Sequence, residues 1–131
     1  MRVTFGVLNA LSALVLLIGV FGVVQPRFWG LDVPLTLIAL VELVSAVALV
    51  AKLPWALRAL TIAAWVSFGL GVLVVSLILL TIVFLRGIHG DYGVAALAVS
   101  SLIVALLVPY TVVLPALELL WLKRQSVESR Q

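Results

Sequence analysis

Glu42 places a carboxyl group in the middle of the apolar run TLIALVELVSAVALV, residues Thr36 to Val50. An ionised carboxylate at the centre of a hydrocarbon layer costs at least about 3 kcal/mol, so the group is expected to hold a proton, take a cation or point into a hydrogen-bonded interior. The chemistry within its reach is proton or cation binding. Candidate neighbours are Asn9 and Ser12, three residues apart and therefore able to share a helix face, together with Ser67, Tyr110 and Thr111. The same groups could instead form a strut that fixes helix register, at about 0.6–2 kcal/mol per interhelical contact.

Other chemistry finds little support. The chain has no cysteine and one histidine, which removes thiolate metal sites, disulfide exchange and a bis-histidine haem within one subunit. No Ser/His/Asp constellation, metal-ligand spacing or glycine-rich phosphate loop occurs, so the protein is expected to be no enzyme, with no metal and no cofactor. His89, between Arg86 and Asp91, reads as a solvated loop residue. Glu118, about one turn from the inner end of the last apolar run, reads as an interfacial ion pair with Arg2, Lys52 or Arg58. Eight scattered basic residues form no stripe for nucleic acid.

The elements that must position these groups follow from composition. With 66% hydrophobic and 10% charged residues and a mean hydropathy of +1.40, the chain has too little polar surface to clothe a water-soluble globule. The lipid bilayer is its expected surroundings. Four apolar runs, Val3–Val24, Pro34–Ala51, Ala59–Leu85 and Val94–Leu122, have 22, 18, 27 and 29 residues. About 20 residues span the hydrocarbon as a helix, and nothing alternates as a membrane β-strand would. The first run is longer than a signal-peptide core and has no cleavage site after it, so it is read as a retained helix. The connections are too short for a soluble domain. An all-α, polytopic membrane protein is predicted: one domain over 1–131, an antiparallel four-transmembrane-helix bundle with a polar tail at 123–131.

Charge bias orients the bundle. Arg2, Lys52, Arg58, Lys123, Arg124 and Arg130 fall on one side, and only Arg27 and Arg86 on the other, which predicts both termini in the cytoplasm. Trp55 and Trp121 mark the inner boundary; Phe28, Trp29 and Tyr92 mark the outer one. At about 1.5 Å per residue, Glu42 and Ser12 lie about 13 Å from the inner ends of their helices, Ser67 about 12 Å and Thr111 about 16 Å. Each helix therefore brings a polar group to one layer, with Asn9 and Tyr110 close by.

Two further patterns concern packing. Ala59, Ala63, Ser67 and Gly71 recur every fourth residue, a stripe of small side chains that lets another helix approach closely. The helix carrying Glu42 is its expected partner, with a second copy of the chain or another membrane subunit as the sharper alternative. In VPYTVVLPALELLW, Pro109 and Pro115 each remove a backbone donor, freeing carbonyls near Ala105 and Thr111 and predicting a bend or hinge. Two functions fit these readings: a helix-packing subunit or assembly partner of a larger or oligomeric membrane complex, or a small proton- or cation-coupled carrier or channel that uses Glu42.

Overall fold

The computed structural model describes residues 2–23, 29–88 and 90–128; Arg27, Phe28, His89 and Arg130 lie outside them. Among the described residues the chain is helical, with no strand. Helix α1 spans Arg2–Ile18 and continues through a π-helical turn at Gly19–Val23; α2 spans Trp29–Val50 and α3 spans Ala56–Ile88. The fourth rod comprises α4, Gly90–Val108, a π-helical turn at Pro109–Val113, and α5, Leu114–Glu128. Four stretches are long and apolar enough to cross a membrane: Arg2–Gly22, Trp29–Val50, Ala56–Phe84 and Ala98–Gln125. Valine and isoleucine are frequent in all of them and would favour strands in water. Hydrocarbon reverses that preference, because only a helix satisfies every backbone group within its own segment.

The helix limits differ from those read in the sequence at two informative places. The second helix begins at Trp29 and runs through Pro34. Pro34 lies so near the start that its missing N–H removes only a bond to Gly30, and the first turn survives. At the other end of the chain the helix continues past Leu122 to Glu128, because LKRQSVE contains no residue that stops a helix. Glu118 is thereby several residues further from its helix end than the sequence reading placed it.

Between α2 and α3 the chain reverses in a Schellman turn. Lys52 adopts the left-handed conformation, φ 53°, and donates to Leu49 O at 3.3 Å, while Leu53 N–H donates to Ala48 O at 3.0 Å. Leu53 then packs on the buried cluster of Ala48, Leu49, Ala56 and Leu60, and Pro54 follows where the helix has stopped.

Neighbouring rods pack in chain order, α1 on α2, α2 on α3, and α3 on α4 and α5. Gly6 permits the first contact, since a Cβ there would lie 3.1 Å from Val50 Cγ2 and 3.2 Å from Leu49 Cβ. The start of α1 thus meets the end of α2, and the two run antiparallel. The backbones of the first and fourth rods approach less closely, and side chains bridge them: the rings of Phe5 and Trp121 are 5.2 Å apart at 49°.

The interior has three layers. At the end holding the α2–α3 turn, Ala48, Leu49, Ala56 and Leu60 pack with Phe5 and Trp121. At the far end Leu16, Val20, Leu35, Ile38, Val74 and Ile78 form a second apolar cluster. Between them, in every helix, the sequence supplies polar side chains.

Candidate functional site

Seven polar side chains are buried in that middle layer: Asn9, Ser12, Ser45 and Ser67 at 0% exposure, Thr111 at 1%, and Glu42 and Glu118 at 2%. Spacing explains how each helix delivers them. Asn9 and Ser12 are three apart on α1, as are Glu42 and Ser45 on α2. Thr111 and Glu118 are seven apart on the fourth rod, with fully buried Pro115 on the same face between them.

The Ser12 and Ser67 hydroxyls are the polar neighbours of the Glu42 carboxyl, and Asn9 is the neighbour of Glu118. Glu118 also lies within electrostatic reach of Glu42. Asn9 joins two helices, donating from Nδ2 to Ser45 Oγ at 3.4 Å. Even so, Glu42 Oε2, Glu118 Oε1, Ser12 Oγ, Ser67 Oγ and Asn9 Oδ1 are buried without a hydrogen bond of good geometry among the described residues. The threonines behave differently. Thr61, Thr81 and Thr111 each donate to the carbonyl four residues back, Leu57 O, Leu77 O and Leu107 O, at 2.8, 2.8 and 2.9 Å. Their hydroxyls are satisfied within their own helices, whereas those of Ser12 and Ser67 remain available to the layer.

The fourth rod reaches this layer through its π-helical turn. Pro109 cannot donate, and Leu114 N–H bonds to Pro109 O, five residues back, which widens the helix where a bend was expected. Pro115 leaves Thr111 O without its usual helical donor. That carbonyl packs directly on Gly71, where a Cβ would overlap Thr111 O and lie 2.8 Å from Thr111 Cβ. The small-residue stripe is therefore shared between two partners. Ser67 faces Glu42 on α2, and Gly71 faces the fourth rod. Ala63, Ser67 and Gly71 are buried and Ala59 is half-buried, so most of the stripe is used within the bundle.

The structure brings Glu42, Ser12 and Ser67 together with Asn9 close by, and it seats Thr111 on Gly71, one turn from Ser67. Tyr110 is not among them: it is half-buried on the π-helical turn and lines a cavity in the apolar layer beyond. Glu118 is the main residue that sequence reasoning placed wrongly. It is buried beside Asn9 and within electrostatic reach of Glu42, not exposed near the end of its helix. The available signal was its seven-residue separation from Thr111 on one helical face.

Among the described residues no group of three or more His, Cys, Asp or Glu comes together. The donor set is thus two carboxyls with hydroxyl and amide oxygens, all hard ligands suited to a proton or a hard cation. Comparison with protein-family models, curated proteins and solved structures gives no match to this chain.

Proposed function

We propose that this is a non-enzymatic membrane protein that holds a proton or a small hard cation between Glu42 and Glu118, as a carrier or channel with both termini in the cytoplasm. The observation that carries this reading is that two buried carboxyls, from two helices, lie within electrostatic reach of each other, and one oxygen of each, Glu42 Oε2 and Glu118 Oε1, makes no well-formed hydrogen bond among the described residues. Two ionised carboxylates in one low-dielectric layer repel each other, so a proton or cation must compensate at least one of them. Ser12, Ser67 and Asn9 add the oxygens that would complete its shell. A cation entering this layer displaces a proton, and that exchange is the coupling a carrier needs. The segment from Pro109 to Pro115 supplies the flexible element, because a π-helical turn with freed carbonyls can change its bonding without losing the helix.

The other reading is a helix-packing subunit of a larger or oligomeric membrane complex. Large apolar side chains on the outside of α3 favour it: Ile62, Trp65, Leu80 and Phe84 are 62, 62, 66 and 70% exposed. Under that reading the carboxyls are protonated struts.

A proton-release titration of detergent-purified protein, with and without sodium, separates the two. Addition of sodium to the wild-type protein is expected to release about one proton per chain, and Glu42→Gln and Glu118→Gln are expected to abolish the release while leaving the protein folded. If all three proteins titrate alike, the coupling reading is wrong and the search moves to a partner on the outer surface.

A further inference from the structure

Beyond the polar layer, in the half of the bundle away from the α2–α3 turn, a cavity of about 240 Å³ is lined by residues of all four rods. Its walls are apolar, with Val15, Leu35 and Ile103 among them, except for Asp32 and Tyr110. Both π-helical turns reach it, one through Gly19 and the other through Tyr110. Such turns interrupt a helix at a cost and cluster at functional sites. Val15 and Ile103 are 45% and 40% exposed, so the cavity communicates with the lipid-facing surface.

Asp32 is the anomaly. It is half-buried on the first turn of α2, and its Oδ1 is buried with no hydrogen-bond partner among the described residues. A carboxylate oxygen turned away from water beside an apolar cavity lacks a cation or a donor. Size limits the candidates, since an apolar cavity of about 150 Å³ already holds a benzene ring. The space fits one ring with a short polar substituent. Tyr110, whose ring can face a cation, adds a second feature that favours positive charge.

We infer that this cavity binds a small hydrophobic ammonium compound, with its apolar part against the α1, α2 and α4 walls and its cationic nitrogen at Asp32 and Tyr110. Asp32 lies ten residues from Glu42, about 15 Å along α2, so this is a separate site from the carboxyl pair. The inference does not rest on proton or cation exchange there.

Equilibrium dialysis of the full chain in detergent against radiolabelled benzyltrimethylammonium tests it. This probe has a permanent charge and no proton to exchange, so its binding can succeed or fail independently of proton release at Glu42 and Glu118. Saturable binding is expected, weakened at least tenfold by Asp32→Asn, a change of equal size near a helix start. Gly19→Leu is expected to weaken it too, because Gly19 lines the cavity and a Cβ there meets no atom within 4 Å. Neopentylbenzene, the neutral analogue of the same shape, should compete poorly. Unchanged affinity in Asp32→Asn, equal competition by neopentylbenzene, or no saturable binding would each overturn the inference.

Discussion

At the scale of single residues, a hydroxyl's role is set by which group accepts its proton. Thr81 is exposed and donates to Leu77 O in its own helix. Ser67 is 0% exposed, makes no such bond and faces Glu42 from another helix. Ser67→Ala should therefore cost about 0.6–2 kcal/mol and Thr81→Ala less than about 0.5 kcal/mol, read by unfolding in mixed detergent micelles. Equal effects of the two substitutions would show that Ser67 is not engaged with the carboxyl. Asn9 works similarly, tying Ser45 on α2 to the fourth rod beside Glu118. Sequence identified Asn9 as a member of the polar set, but its partners lie 36 residues away or more, and spacing along one helix cannot reveal them.

At the scale of elements, close approach of backbones decides which helices meet. Gly69 and Gly71 are two residues apart on α3 and sit in opposite surroundings. A Cβ at Gly69 meets nothing within 4 Å, whereas one at Gly71 runs into the Thr111 backbone. Backbone cannot turn aside as a side chain can. Gly71→Ala should force α3 and the fourth rod apart and destabilise by about 1–3 kcal/mol, while Gly69→Ala should be neutral or stabilise slightly. Thermal unfolding in detergent compares them, and a silent Gly71→Ala would mean that the rods do not touch there. The π-helical turn belongs to this scale too. The two prolines announced an interruption in the sequence, but the bond from Leu114 N–H to Pro109 O and the seating of Thr111 on Gly71 were visible only in the structure.

At the scale of the whole molecule, the chain is a bundle with a polar layer between two apolar ones, and its orientation should follow its basic residues. Because the sequence has no cysteine, single substitutions can report it cleanly. In intact cells a membrane-impermeant maleimide should label Trp29→Cys, at a position 81% exposed, and should reach Lys52→Cys only after the membrane is opened. The reverse pattern would invert the proposed orientation. Composition alone determined that the chain is helical and suited to a bilayer, since long apolar runs leave the backbone no other way to satisfy its polar groups. That Glu42, Ser12 and Ser67 share one level along the bundle was legible as well, because a helix converts residue count into distance at a fixed rise. Depth gives one coordinate out of three. Rotation about each helix axis, and hence which side chains face one another, is set by contacts such as Gly6 on Leu49 and Gly71 on Thr111. Only the tertiary structure could therefore bring Glu118 inward beside Glu42, draw Tyr110 out of the polar layer to a cavity with Asp32, and turn the small-residue stripe toward two partners at once.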